Sequence, residues 1–191
     1  MPAVDPTEIL DCADAAQWEA WLAQHHARSE GVWLRIAKKG GGKASVTLSE
    51  ALDSVLCYGW IDSQRKGYDQ TYYLQRYSPR RPKSPWSRLN VERAAVLIAA
   101  GRMQPAGWVE IEAAQGDGRW DAAYESQRNV RMPPDLVAAL AQNARAQQAF
   151  DRLDKSGQYA VMLPILKAST ADRRAARLHK AITQLEAGSQ E

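Results

Sequence analysis

Pro79, Pro82 and Pro85 stand at every third position, and no other feature limits the fold of this chain so strongly. Proline has a fixed φ and no backbone N–H, so three at this interval exclude both a central strand and a helix interior. The break separates two stretches whose hydrophobic periods differ.

Upstream, helix and strand periods alternate. Asp14-Ala-Ala-Gln17 has the form of a capping box, and Trp18, Trp21, Leu22 and His25 follow at i, i+3, i+4 and i+7, predicting a helix that Gly31 stops. Val32, Leu34 and Ile36 then alternate with Trp33, Arg35 and Ala37, the period of a half-buried strand. A second capping box, Thr47-Leu-Ser-Glu50, opens a helix carrying Leu48, Leu52, Val55 and Leu56, with Gly59 at its C-terminal stop. Trp60 to Asp62 and Thr71 to Ser78 predict two strands of a hairpin or meander, joined by a polar connection from Ser63 to Gln70. In the second strand Tyr72, Leu74 and Arg76 share one face and Tyr73, Gln75 and Tyr77 the other, which makes an aromatic, partly basic sheet face.

Downstream the period is helical throughout. Ser87 is placed to cap a helix with Val91, Ala94, Ala95 and Ile98 that ends at Gly101, and Pro105 suits the first turn of a helix carrying Trp108 and Ile111. Gly116 to Met132 reads as a long connection with one short helical piece near Trp120 to Tyr124. Pro133-Pro134 opens a helix, Asn143 separates it from the next, and Ser156 caps a third, in which Pro164 predicts a kink. The last begins near Thr170, turns Ala171, Ala175, Leu178, Ile182 and Leu185 inward, and stops at Gly188. The fold class is α+β: a small, mostly antiparallel sheet with helices in the N-terminal half, followed by an all-helical C-terminal half. Residues 1–130 are expected to form the α+β core domain, and 131–191 a helical extension packed on the same unit, since 191 residues suit one ordinary domain better than two.

Charge is unevenly spread. Of a net +3, Trp60 to Arg93 holds eight Lys/Arg and three Asp/Glu, so this segment is +5 and the remainder −2. A basic patch on a nearly neutral body points to an anionic partner. Arginine presents a rigid fork of donors suited to phosphate or carboxylate, and prolines limit the entropy lost in holding such forks still. Arg76, Arg80 and Arg81, the hydroxyls of Ser84 and Ser87, the ring of Trp86 and the side chain of Asn90 therefore make a candidate anion pocket, with Trp60 and Asp62 beside it. The competing reading has Arg80 and Arg81 on a solvated turn while Trp86 fills the core. Asp62 is the one carboxylate among these groups, and a structural partnership with Arg76 or Arg81 suits it better than a role as base.

Several chemistries lack their signatures. His25, His26 and His179 have no metal-binding spacing, and no G-x-S-x-G, GxGxxG or kinase set is present. Lys39-Gly-Gly-Gly-Lys43 fails the phosphate-loop pattern at Ala37 and Ala44. Cys12 and Cys57 fit no disulfide or metal framework, which accords with a reducing compartment. No basic-then-apolar leader opens the chain, and its longest apolar run, Ala94 to Ala100, is far below the roughly 20 residues that span a bilayer. A soluble cytoplasmic protein without metal or cofactor is expected. The leading expectation is a non-catalytic protein that binds a small anion or a protein partner. Nucleic-acid binding by the basic aromatic sheet face stands as the alternative, and an enzyme using Asp62 or Cys57 as the lesser one.

Glu50-Ala51, Cys57, Gly59-Trp60-Ile61-Asp62, Arg76, Ser78-Pro79-Arg80, and Ser84 through Trp86, Ser87 and Asn90 together resemble the YdeI/OmpD-associated, or bacteriocin-protection, family. Gly101-Arg102-Met103, Gly107, Gly118-Arg119-Trp120, Pro133 and Leu136 extend the likeness over nearly the whole chain. Thr170-Ala-Asp-Arg173-Arg174 is a variant of the family's TRxRR-like end segment. The resemblance implies a small cytoplasmic bacterial protein, mixed α/β then helical, tied to envelope stress or resistance to cationic peptides. It brings no particular reaction with it.

Overall fold

A computed structural model describes residues 9–27, 30–40 and 43–188, and divides the chain into two compact units. The first comprises Met1–Ser84 with Asn90–Asp121, the second Pro85–Leu89 with Ala122–Glu191.

In the first unit the elements follow as β1 (Ile9–Asp11), α1 (Ala15–His25), β2 (Val32–Ala37), α2 (Leu48–Cys57), β3 (Trp60–Gly67), β4 (Tyr72–Pro79), α3 (Arg88–Ala99, in this unit from Asn90) and α4 (Pro105–Gly116). The Asp14 carboxylate accepts the Gln17 N–H at 2.9 Å to start α1, while Gln17 reaches back to the N–H of Ala13. At α2 the full box forms: Thr47 accepts from the Glu50 N–H, and Glu50 accepts from both the N–H and the hydroxyl of Thr47. Gly59, at φ +73, ends that helix against α4, where a Cβ would stand 2.7 Å from the Ala106 carbonyl oxygen.

The sheet runs β1-β2-β4-β3, with β1 parallel to β2 and the other pairs antiparallel. Its inner face and the helices α1 and α2 enclose the core: Trp18, Leu22, Leu34, Ile36, Val55, Trp60 and Tyr77 are buried together. The indole N–H of Trp18 donates to the Ala51 carbonyl and so fastens α1 to α2. Two sheet features depart from the sequence expectation. β3 continues past Asp62 through a bulge to Gly67, because Asp69 closes a tight turn by accepting from the N–H groups of Thr71 and Tyr72, which brings the polar stretch alongside β4. β1, three residues long, carries no periodic signal and is held by its pairing with β2.

The second unit contains α5 (Pro134–Ala141), α6 (Ala144–Arg152), α7 (Lys155–Leu166) and α8 (Ala171–Ala187) around Leu136, Leu140, Phe150, Met162, Ile165 and Leu185. Arg174 clasps Asp135 with two hydrogen bonds, tying the start of α8 to α5. Two details correct the sequence reading. Asp154, not Ser156, caps α7, since its carboxylate accepts the Gly157 N–H at 2.7 Å while the Ser156 hydroxyl accepts from Gln127. Trp120 to Tyr124 is not helical: the chain turns there, and Tyr124 pairs with Ser87 while its N–H donates to the Trp86 carbonyl.

Candidate functional site

β4 delivers the chain into the proline segment. Pro79 lies opposite Trp60, and the Arg80 N–H donates to the Gly59 carbonyl, so the segment starts from a fixed point. Residues 81–84 then form a turn in which the Ser84 N–H donates to the Arg81 carbonyl at 3.0 Å. Pro82 occupies its second position and Lys83 its third at φ +61, the pattern of a type II turn. Lys83 is the one non-glycine residue with positive φ among the described residues. That backbone costs a side-chain-bearing residue about 1 kcal/mol and persists only where the surroundings enforce it.

Two arginines enforce it. Arg80 is buried, 6% exposed, and its Nη1 donates to the Ser84 hydroxyl oxygen at 3.5 Å. Arg119, from the turn after α4, donates from Nη1 to the Ser84 carbonyl at 2.8 Å while its Nε holds Asp117 at 2.7 Å. The Asp117 carboxyl is consequently held below its usual range, chiefly by the Arg119 hydrogen bond, with the charge of Lys83 adding to the effect. Arg81 and Lys83 are left exposed on the outer side of the braced turn.

The remaining predicted residues lie elsewhere. Trp60 is a core residue whose indole N–H donates to the His26 carbonyl at 2.9 Å. Asp62 sits on β3 opposite Tyr77, a buried tyrosine whose pKa is raised by burial and then by the Asp62 charge. Arg76 lies on the outer sheet face, its guanidinium 5.7 Å from the centre of the Trp33 ring. Asn90 is buried in α3. Trp86 and Ser87 belong to the second unit, with Trp86 buried and Ser87 bridged to Tyr124. Of the nine predicted residues, then, Arg80, Arg81 and Ser84 share one local structure. Sequence reasoning missed Lys83, Asp117 and Arg119 as its other members. Pro82-Lys83 carried a weak turn signal for the first, whereas Arg119 lies 35 positions from Ser84 and no local pattern links them.

The outer sheet face pairs cations with rings. Lys66 and Arg76 lie over Trp33, and Arg35 lies over Tyr68 and Tyr72. These contacts leave Trp33 only 3% exposed, whereas Tyr68 remains 46% exposed. Burial pushes the thiols of Cys12 and Cys57 up to about 11, which keeps both as thiols near neutral pH. Among the described residues no cluster of three His, Cys, Asp or Glu side chains is arranged to hold a metal, and no helix is long and apolar enough to cross a membrane. Gly41 and Gly42 of the glycine cluster, and the first eight residues, lie outside the described residues.

Residues 10–110 match the family model described as a domain of unknown function, DUF8412. The chain belongs to that family. The model described as "Bacteriocin-protection, YdeI or OmpD-Associated" matches residues 129–188, the stretch holding α5 to α8. The bacteriocin-protection match thus covers the helical second half, while the Glu50-to-Asn90 run falls within the DUF8412 match. Nothing among curated proteins or solved structures matches the chain.

Proposed function

We propose that this is a non-catalytic cytoplasmic protein of the bacteriocin-protection type that holds a small phosphate- or carboxylate-bearing ligand at the turn of residues 81–84. The observation carrying this reading is Lys83, a lysine held in a left-handed backbone by braces from Arg80 and Arg119. A turn that served only to reverse the chain would be more stable with glycine at that position. The side chains of Arg81 and Lys83 make no hydrogen bond or ion pair among the described residues, so both can meet an anion without breaking an existing contact. Ser84 adds a hydroxyl whose oxygen already accepts from Arg80, which leaves its proton to donate outward. Ligand ordering costs little on a turn already fixed by Pro82.

The test is a thermal-shift screen at fixed ionic strength with nucleotides, sugar phosphates and dicarboxylates. It compares wild type, Arg81→Ala/Lys83→Ala, and Lys83→Gly. A ligand at about 100 times its dissociation constant adds roughly 2.7 kcal/mol, a rise of several degrees. One ligand class should shift the wild type, fail to shift the double variant, and shift Lys83→Gly less. A double variant that responds like wild type removes the turn from the reading.

The outer sheet face supports a second reading, nucleic-acid binding, through exposed Tyr68 with Arg35 beside it. A short oligonucleotide should then bind with affinity that falls steeply with salt and drops in Arg35→Ala/Tyr68→Ala. Salt-insensitive or undetectable binding at low salt eliminates it.

A further inference from the structure

A groove in the second unit, independent of the braced turn, combines chemistry that the fold itself does not use. Its volume is about 700 Å³, inside the range of roughly 300–1,000 Å³ typical of small-molecule sites. α8 contributes Arg177, Lys180, Ala181, Gln184 and Leu185 at i, i+3, i+4, i+7 and i+8, so one helix face supplies apolar floor and charged rim alike. Ala181 and Leu185 are buried, while Arg177 and Lys180 are exposed. From the other side come Leu153 and, on α7, Val161 and Pro164, all half-buried.

The rim is cationic without an internal reason. Arg174, one turn earlier on α8, is committed to Asp135. Arg177 and Lys180 make no hydrogen bond or ion pair among the described residues, and no acidic side chain lines the groove. Ala160, exposed on α7, lines the groove as well. The site therefore offers two cations and an apolar floor.

We propose that this groove binds a soluble amphipathic carboxylate, its head between Arg177 and Lys180 and its alkyl or aryl body on Leu153, Val161, Pro164, Ala181 and Leu185. Charge complementarity selects an anion, and the buried floor selects an apolar body over a bare phosphate or sugar acid.

The experiment is calorimetric titration of the full chain with octanoate, octanol and octylammonium at constant ionic strength. Octanoate should bind at least about tenfold more tightly than octanol, the value of one charge-assisted contact, and octylammonium more weakly than either. Arg177→Gln/Lys180→Gln should lose about tenfold toward octanoate and leave octanol unchanged, while Ala160→Trp, which fills an exposed position on the groove wall, should lose all three. Arg81→Ala/Lys83→Ala should bind octanoate as the wild type does, which separates this site from the turn. Equal affinity for octanoate and octanol overturns the proposal. So do an unchanged affinity in Arg177→Gln/Lys180→Gln, and the absence of any octanoate binding by folded wild type.

Discussion

The two units employ their arginines differently. In the first, four of the eight described arginines are cross-links between separate parts of the chain: Arg35 to Asp11, Arg93 to Asp53 and Ser49, Arg102 to Glu19, and Arg119 to Asp117 and Ser84. The second ties Arg174 to Asp135 and, more loosely, Arg88 to Glu125, and leaves Arg177 and Lys180 exposed beside an apolar groove. A basic residue is thus a structural brace or a potential ligand contact according to whether an acceptor already occupies it, and net charge does not distinguish the two. Even in the first unit both uses stand side by side at the turn of residues 81–84, with Arg80 internal just before it and Arg81 displayed on it.

The sharpest test of this contrast is to damage one unit's core and watch the other. Trp18→Ala removes a fully buried indole and its bond to Ala51, and should cost about 3–5 kcal/mol. Urea unfolding should show that loss, while hydrogen exchange of the α8 amides reports whether the second unit follows. A loss below about 1 kcal/mol would mean that the first unit's core is not centred on α1.

Helix starts give a smaller difference. Thr47 shares a reciprocal box with Glu50, whereas Thr170 caps α8 alone, with Arg173 at the position a box needs for Glu. Thr47→Ala should therefore cost about 1 kcal/mol and Thr170→Ala about half as much. Equal losses in denaturant titrations would show that the Glu50 contacts contribute nothing.

pH should probe both units next. Arg174 holds the Asp135 carboxyl below its ordinary 3.8. A carboxyl so lowered stabilises the fold fully above that ordinary value and loses the contribution as pH falls through the folded one. For a partly exposed pair the effect is at most about 1 kcal/mol, and Arg174→Gln should abolish it. The first unit, in which Glu50 and Asp117 are lowered as well, also responds at the other end. Cys12 and Cys57 are raised from 9.0 to about 11, so their stabilising contribution is complete below pH 9.0 and declines as pH rises toward 11. Melting curves between pH 3 and about 10 should show both limbs, and an acid limb unchanged in Arg174→Gln would remove Asp135 as its source. The smallest expected effect is a gain: Lys83→Gly relieves a left-handed residue and should stabilise the chain by about 0.5 kcal/mol. A loss instead would show that the Lys83 side chain contributes packing that outweighs the strain.

What could be read in advance was local. Asp14, Thr47 and Thr170 cap helices because each accepts an N–H three residues on, and Pro134 opens α5 because a first-turn residue needs no N–H. Tyr72, Leu74 and Arg76 share a face because strands alternate with period two. What could not be read depended on partners remote in the chain. Polar Ser63 to Gly67 looked like a connection until its backbone paired with β4, and Trp33 is buried despite lying on the outer face because Lys66 and Arg76 cover it. The site divided in the same way: Arg81 and Ser84 were visible beside their prolines, but Arg119 was not.

By itself the sequence determined the α+β class, most helix starts and the proline break at 79–85, because capping, periodicity and proline geometry act over a few residues. Only the tertiary structure decided which cations are braces and which remain available. It did so because an arginine's role depends on the acceptor it meets, and Arg119 meets Ser84 across 35 positions while Arg177 and Lys180 meet none among the described residues.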